Sequence, residues 1–390
     1  MWRLSLTIFR KVVLPSIKGN VKFSKTFYST RSRLPKSTAK LTLVSASVGV
    51  LIGAGYGGYT HYVVNSKKRP KLTLNEEYAF LNEAPPYQAH YKVINESDSS
   101  NLQLVLFQYR TCPFCCKVRS YLDSKGISYE IVEVDAVLRQ AIKWSAYKKV
   151  PILLAKVDGG YQQLMDSSAI ISALETYFRD KNSQLTEVIK FYPITRYTND
   201  DGKSMTDITN KYFVMHNAAV PDQKERMEEK EEREWRQWAD NVLVHTLSPN
   251  VYRTPGEALA TFKWFEEVGG WKQSFPSWEC ALMVYGGAAA MWMIAKRLKK
   301  RHNLQDDVRY SLYNAADAWT NAIKKKGSKF LGGDQPNLAD VTVFGVLSSI
   351  EGCEAFQDLR NNTNIGKWYD DMKVNIASKK GRVLAVHAKN

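Results

Sequence analysis

The sequence predicts an α+β chain in which a small mixed domain of order βαβαββα precedes an all-helical domain, with a membrane-spanning segment ahead of both. Three observations carry that reading. An apolar run, "LQLVLFQY", ends in "RTCPFCC", where a strand gives way to a helix opened by proline. Downstream, "KKVPILLAKVDGGYQQLMD" reads as two strands folded over Gly159-Gly160, and "DSSAIISALETYF" as the helix that closes the unit. From residue 223 onward the apolar spacing is helical throughout, with no strand signal.

The front of the chain accounts for its charge. Of 390 residues with a formal charge of +16, the first 75 hold 14 Lys/Arg and no Asp or Glu, leaving 41 basic against 39 acidic groups in the rest. A nucleic-acid-binding body would carry its excess on the folded part, so that class is excluded. Residues 1–40 read as a basic targeting segment of mitochondrial type, the alternative being a basic arm that touches anionic membrane. Residues 41–64 run without a charge between Lys40 and Lys67 and are long enough to cross a bilayer as a helix. Gly49, Gly53 and Gly57 give that helix a smooth face, and its five glycines would cost a soluble helix about 1 kcal/mol each. Residues 65–101, which lack periodicity, read as a linker.

Order begins at Leu102. The mixed domain, residues 102–180, takes "LQLVLFQY" as a buried strand, then a helix from Pro113 to Gly126 with Val118, Tyr121 and Leu122 inward. "SYEIVEVD" is the second strand, and residues 138–148 are expected to form a short helix. The helix from Ser167 to Phe178 turns Ile170, Ile171 and Leu174 inward. Residues 181–222 form an insertion whose alternation about Asp200-Asp201-Gly202 predicts a hairpin. Residues 223–378 form the helical domain, whose first helix is expected to bury Trp235, Trp238, Val242 and Leu243. In "QPNLADVTVFGVL", Asn337 and Asp340 have the spacing of a capping box, which makes Asp340 architectural. Residues 379–390 read as a tail.

Five cysteines, three of them clustered, do not make a disulfide framework, and the folded body is expected in a reducing compartment. Cys112 and Cys115 admit three readings. Zinc would need two more ligands, and Cys280 and Cys353 stand alone, so no metal site is expected. A buried structural pair is the second. The third is a reactive thiol, because free N–H groups and the dipole at a helix start favour an anion, and Lys117 and Arg119 add positive charge close by. Cys112 is then the nucleophile, Cys115 the resolving thiol, and Tyr109 a hydroxyl able to donate to the Cys112 sulfur. Cys116 reads as packing or as a third thiol in reach.

A thiol at the first strand-to-helix turn, Val150-Pro151 opening the third strand and Asp166-Ser167 starting the last helix together resemble the thioredoxin-like fold in its glutaredoxin and glutathione-transferase form. That resemblance implies a cis Pro151, with Val150 pairing an extended peptide, and a glutathione pocket completed by Asp166 and Ser167. Taken alone, Asp-Ser-Ser reads as an ordinary N-cap. The stretches "QYRTCPFCCKVRSYLD", "YKKVPILLA", "LMDSSAIISALETY" and "WRQWADNVLVHTLSPNVYRTPGEALATF" go further and resemble the type 2 family of membrane-associated prostaglandin E synthases over residues 100–378. The resemblance implies thiol-dependent isomerisation of prostaglandin H2, a lipid endoperoxide, with glutathione touching Cys112, Phe114, Val150, Asp166 and Ser167 and with haem associated with the site. His245, Ser248, Arg297 and Arg301 are candidates to anchor the carboxylate of substrate or haem, solvated helix faces being the plainer account of the arginines. Cys116 departs from the family pattern and favours oxidation of the pair. A homodimer is expected, anchored in a mitochondrial or Golgi membrane, or cytoplasmic after cleavage of the front. The competing functions are a glutathione-dependent thiol transferase of glutaredoxin type and a membrane-held haem-binding protein.

Overall fold

The structure, a computed structural model, describes residues 78–180, 183–198, 204–215 and 222–386. The expectations for residues 1–40 and 41–64, for the first part of the linker and for the Asp200-Asp201-Gly202 turn lie outside the described residues.

The first half contains β1 (Phe80–Leu81), β2 (Tyr91–Ile94), β3 (Gln103–Gln108), α1 (Pro113–Ser124), β4 (Tyr129–Glu133), β5 (Ile152–Val157), β6 (Gly160–Met165) and α2 (Ser167–Arg179). A short turn, α3 (Leu185–Val188), leads to the antiparallel hairpin of β7 (Ile194–Thr198) and β8 (Ser204–Ile208). The second half is α4 (Gln223–Trp238), α5 (Val244–Val251), α6 (Pro255–Val268), α7 (Trp271–Ser274), α8 (Ser277–Ala281), α9 (Gly287–Arg301), α10 (Val308–Lys326), α11 (Leu338–Ser348), α12 (Glu354–Asn362) and α13 (Ile365–Ala377), closed by β9 (Arg382–Ala385).

The central sheet has the order β1-β6-β5-β3-β4-β2-β9. Its core matches the expected unit: β3 runs parallel to β4 and antiparallel to β5, with β6 antiparallel beyond. Parallel pairing needs a crossover, which α1 supplies. Both faces of β3 are covered, since Leu104 and Leu106 pack under α1 and α2 while Val105 and Phe107 meet Ile142 and Trp144 on the other side. That two-sided burial explains an apolar run without alternation. At the β5–β6 turn Gly160 is required sterically, for a Cβ there would stand 2.2 Å from the Leu81 carbonyl oxygen.

Two sequence expectations are corrected at the edges. The linker over residues 65–101 contains β1 and β2, and the tail over 379–390 contains β9, which pairs antiparallel with β2. These strands are two to four residues long and partly exposed, so they have no apolar signature; ladder bonds to a neighbour already in place hold them. The helix expected over 138–148 shrinks to one 3-10 turn at Gln140–Ile142. The Asp135 carboxylate captures the N–H groups of Leu138, Arg139 and Gln140, and Arg139 goes left-handed at φ 51°, so the backbone is committed to a turn.

The helical half has two π-helical turns, Ala239–Leu243 and Leu282–Gly286. The first inserts an extra residue between α4 and α5 and rotates the face that follows. Leu243 is buried as expected, but Val242 is 44% exposed, which corrects its inward assignment. Asn337 and Asp340 form the expected capping box, and Asp340 is fully buried, taking the N–H groups of Leu331, Gly332 and Asn337 and the Trp368 indole. The helix it starts, α11, is buried all round and lies against α1; a Cβ on Gly345 would fall 2.5 Å from the Lys117 Cα. Ser277–Arg301 is, by length and composition, long and apolar enough to cross a membrane, with 33% of its apolar window buried, and α9 within it packs on α6 and α5.

Candidate active site

Cys112 is the N-cap residue of α1, with extended backbone (φ −74°, ψ 125°), and Pro113 occupies the first helical position. A turn bond from the Cys112 N–H to the Tyr109 carbonyl, 3.1 Å, brings the chain out of β3 and leaves this sulfur partly exposed at the helix mouth. Cys115, one turn deeper, is completely buried. The hydrogen bond from the Cys115 thiol holds the Cys112 thiol below its ordinary value, against burial, with the Cys115 and Phe114 amides and the Arg119 charge adding to it. Cys115 moves the other way: burial raises it well above its ordinary value, and its bond to Cys112 adds to the rise. The shared bond thus pushes the two thiols in opposite directions, Cys112 down and Cys115 up.

Of the two nearby cations, Arg119 behaves as expected and Lys117 does not. Arg119 reaches the Cys116 sulfur at 3.1 Å and the Gln108 side chain at 2.7 Å. Cys116 also meets the Arg110 carbonyl, at 3.4 Å, so its sulfur is engaged behind the helix, and burial raises its thiol. Lys117 is fully buried and turned away from the thiols: its ammonium donates to Ser168 Oγ (2.8 Å) and Asp240 Oδ1 (2.5 Å).

Asp240 lies in the first π-helical turn, and its other oxygen accepts from Ser168 Oγ (2.7 Å) and the Tyr212 hydroxyl (3.0 Å). Burial would raise this carboxyl, but the Lys117 charge and these hydrogen bonds outweigh it and hold the group below its usual range. The adjacent buried Arg236 donates to the Ser168 carbonyl and Ser172 Oγ. The helical half therefore holds α1 through the Lys117–Asp240 ion pair and the start of α2 through the Ser168 hydroxyl and the Arg236 guanidinium. Neither Asp240 nor Arg236 stood out in the sequence, since their partners come from segments 24 to 123 residues away.

The gripped turn is the one expected to face glutathione. Asp166 sits at φ 65°, a left-handed conformation that costs a non-glycine residue on the order of 1 kcal/mol and recurs at functional sites. Its Oδ1 caps α2 by accepting the Ser168 and Ala169 N–H groups, which leaves Oδ2 facing outward. Ser167 follows, largely buried, and the Val150–Pro151 peptide that leads into β5 is cis. Tyr109 is raised by burial and lies within the field of both thiols. Tyr147 is raised by burial as well, with the Asp166, Cys115 and Cys112 charges adding to the rise. Tyr252, at the end of α5, feels the Cys112 charge from the helical side. Both phenols were missed, because only the folded chain brings them to the thiol.

His245 and Ser248 lie on α5, while Arg297 and Arg301 lie on the exposed last turns of α9. His245 stacks on His302 with ring centroids 4.0 Å apart and planes 11° apart; burial lowers both imidazoles, and Arg301 lowers His302 further. The structure thus brings His245 and Arg301 to one place through His302, a residue the sequence reading passed over.

The fold defines a thioredoxin-fold domain of glutathione-transferase type, with a cysteine at the start of its first helix and an all-helical partner domain. Residues 106–182 match the family "Glutathione S-transferase, N-terminal domain". Prostaglandin E synthase 2 of Danio rerio is 47% identical over 332 residues, 83% of this chain and 79% of that protein. Its counterpart in Mus musculus is 51% identical over 276 residues, 70% of each chain. Among solved structures, a beta-etherase from Sphingobium sp. strain SYK-6 aligns over 71% of this chain and 98% of its own, with 16% identity and a TM-score of 0.41. The chain belongs to the prostaglandin E synthase 2 family.

Proposed function

We infer that the protein is an isomerase, a prostaglandin E synthase that converts prostaglandin H2 to prostaglandin E2 by thiol chemistry at Cys112. The observation that carries this reading is a single prepared sulfur, lowered at a helix mouth with its neighbour held as a thiol, in a chain about half identical to proteins named for that activity. The thiolate attacks the endoperoxide oxygen borne by C9; an S–O bond forms, the O–O bond breaks, and the oxygen on C11 takes a proton from the Tyr109 hydroxyl. A base then removes the C9 hydrogen as a proton, C9=O forms, and the S–O electron pair returns to sulfur. Tyrosinate takes the proton back, so atoms and electrons balance without an outside reductant.

Glutathione fits the pocket as a bound cofactor, where it would supply a second thiol. Val150 offers backbone to its peptide, Asp166 Oδ2 faces outward for its ammonium, and Ser167 opens a helix toward its carboxylate. Arg301, which directly precedes His302 of the histidine stack, and Arg297, one turn earlier on α9, are exposed and suit a carboxylate of the fatty-acid chain or of haem. The body is held at a membrane through residues 41–64 and works as a homodimer in this reading.

Cys112→Ser should lower prostaglandin E2 formation by on the order of a hundredfold. Cys115→Ser keeps most of it, as serine can still donate to the sulfur; collapse in Cys115→Ser would instead establish dithiol reductase chemistry. Because the folded value of Cys112 is lowered, its thiolate fraction at neutral pH exceeds that of free cysteine. Iodoacetamide alkylation should therefore rise at lower pH than for a free-cysteine control, and Cys115→Ala, which removes the largest cause, should shift that profile back upward. Coincident profiles for protein and free cysteine would overturn the mechanism.

A further inference from the structure

Between Ser277 and Arg301 the chain stays helical through α8, the second π-helical turn and α9. One side of it belongs to the body: Cys280, Met283, Val284, Ala288 and Ala295 are buried, and α9 packs on α6 and α5. The opposite side carries Trp278, Leu282, Tyr285, Met293 and Ile294, each between 39% and 62% exposed. Exposed positions recur at 277/278, 281/282, 285/286 and 289. That four-residue spacing drifts by about 40° per turn on a straight α-helix, and the wider π-helical turn at Leu282–Gly286 takes up the drift, so the apolar side chains stay in one stripe. Single exposed apolar residues are ordinary, but a row of them along one helix marks a contact surface.

The stripe ends in charge of one sign. From Ser277 to Ala295 the only charged residue is Glu279, which is buried; Lys296, Arg297, Lys300 and Arg301 then follow, all exposed. Lys296 lies over the Trp292 ring at 3.9 Å and keeps its charge, whereas Lys299 is bound to Asp306. On the flank, the cavity beside α6 and α8 sets Glu266 and Glu267 against Lys263 and Lys272 and is balanced. An apolar row with aromatic rings that leads into basic residues suits the boundary between lipid headgroups and acyl chains. A second copy of this stripe would bring no acid to the four cations, while an anionic bilayer offers negative charge along all of it. We propose that the exposed side of Ser277–Arg301 is a membrane-docking surface that rests on anionic lipid, with Trp278, Leu282, Tyr285 and Met293 at the acyl boundary and Lys296 and Lys300 on the headgroups. It is a contact separate from the span expected at residues 41–64: a tether there holds the body near a bilayer but does not set which face meets it.

The test is hydroxyl-radical footprinting, read by mass spectrometry, of the full-length protein in detergent and in phosphatidylcholine vesicles with or without about 30% phosphatidylserine. Oxidation of Trp278, Tyr285 and Met293 should fall several-fold in the phosphatidylserine vesicles, with exposed Met227 on α4 as the unchanged reference. Lys296→Glu/Lys300→Glu should return all three to near their detergent values, and Leu282→Glu should do the same for Trp278 and Tyr285, both variants keeping the wild-type thermal midpoint in detergent. Equal oxidation in detergent and in both kinds of vesicle overturns the proposal. Protection already present in detergent and lost on dilution overturns it as well, and assigns the stripe to a second copy of the chain. Protection that persists in Lys296→Glu/Lys300→Glu overturns the role of anionic lipid.

Discussion

On one wall of the site Lys117, Ser168, Asp240 and Tyr212 bond one another in a buried network, and Arg236 ties the same helix start from behind. At the far end of α9, by contrast, Arg297 and Arg301 are exposed with no ion-pair partner among the described residues, Arg301 directly preceding His302 of the histidine stack. The first wall is preorganised: Lys117, Ser168 and Asp240 meet fixed partners, so the turn that presents Asp166 and Ser167 is held before any ligand arrives. The second keeps its side chains free, as suits a long flexible acid better than a small rigid peptide. The contrast implies that damage to the first wall is read as lost stability and damage to the second as lost substrate affinity.

The largest effect should come from Asp240→Leu, which strands the buried Lys117 charge and is expected to cost about 3–5 kcal/mol in urea unfolding. The double variant Lys117→Met/Asp240→Leu should recover most of that, because the desolvation cost disappears with both charges. If the single and double variants were equally unstable, the preorganised wall would be a packing feature and the contrast would fail. Gly345→Ala should come next, costing about 1–3 kcal/mol by forcing α11 away from Lys117 and loosening the same wall indirectly. Smallest in stability, Arg301→Ala is expected to stay within about 0.5 kcal/mol of wild type. Its effect should fall on KM for prostaglandin H2 with kcat nearly preserved; a large fall in thermal midpoint would show that α9 is structural there instead.

The sheet core, the start of α1 and the capping box of α11 were legible because each depends on neighbours in sequence. A two-sided apolar run, a proline at a helix start and an Asn-to-Asp spacing are local patterns with local causes. The edge strands β1, β2 and β9 were not legible, because two to four partly exposed residues carry no periodicity and become strands only where a ladder awaits them. Val242 was lost to the π-helical turn, which slips the helical phase by one residue without leaving a compositional mark.

The thiol was visible from its turn, and so was the pocket end at Asp166-Ser167, since a helix mouth and a cap are written in consecutive residues. The fate of Lys117 was not, because a charge near a sulfur in sequence is free to turn toward a better partner in space, and Asp240 lies 123 residues away. Sequence alone therefore determined which sulfur stands at the helix mouth, for that follows from where a helix begins. Only the tertiary structure decided which charges face that atom and which face each other, for electrostatics acts through distances that folding sets across the whole chain.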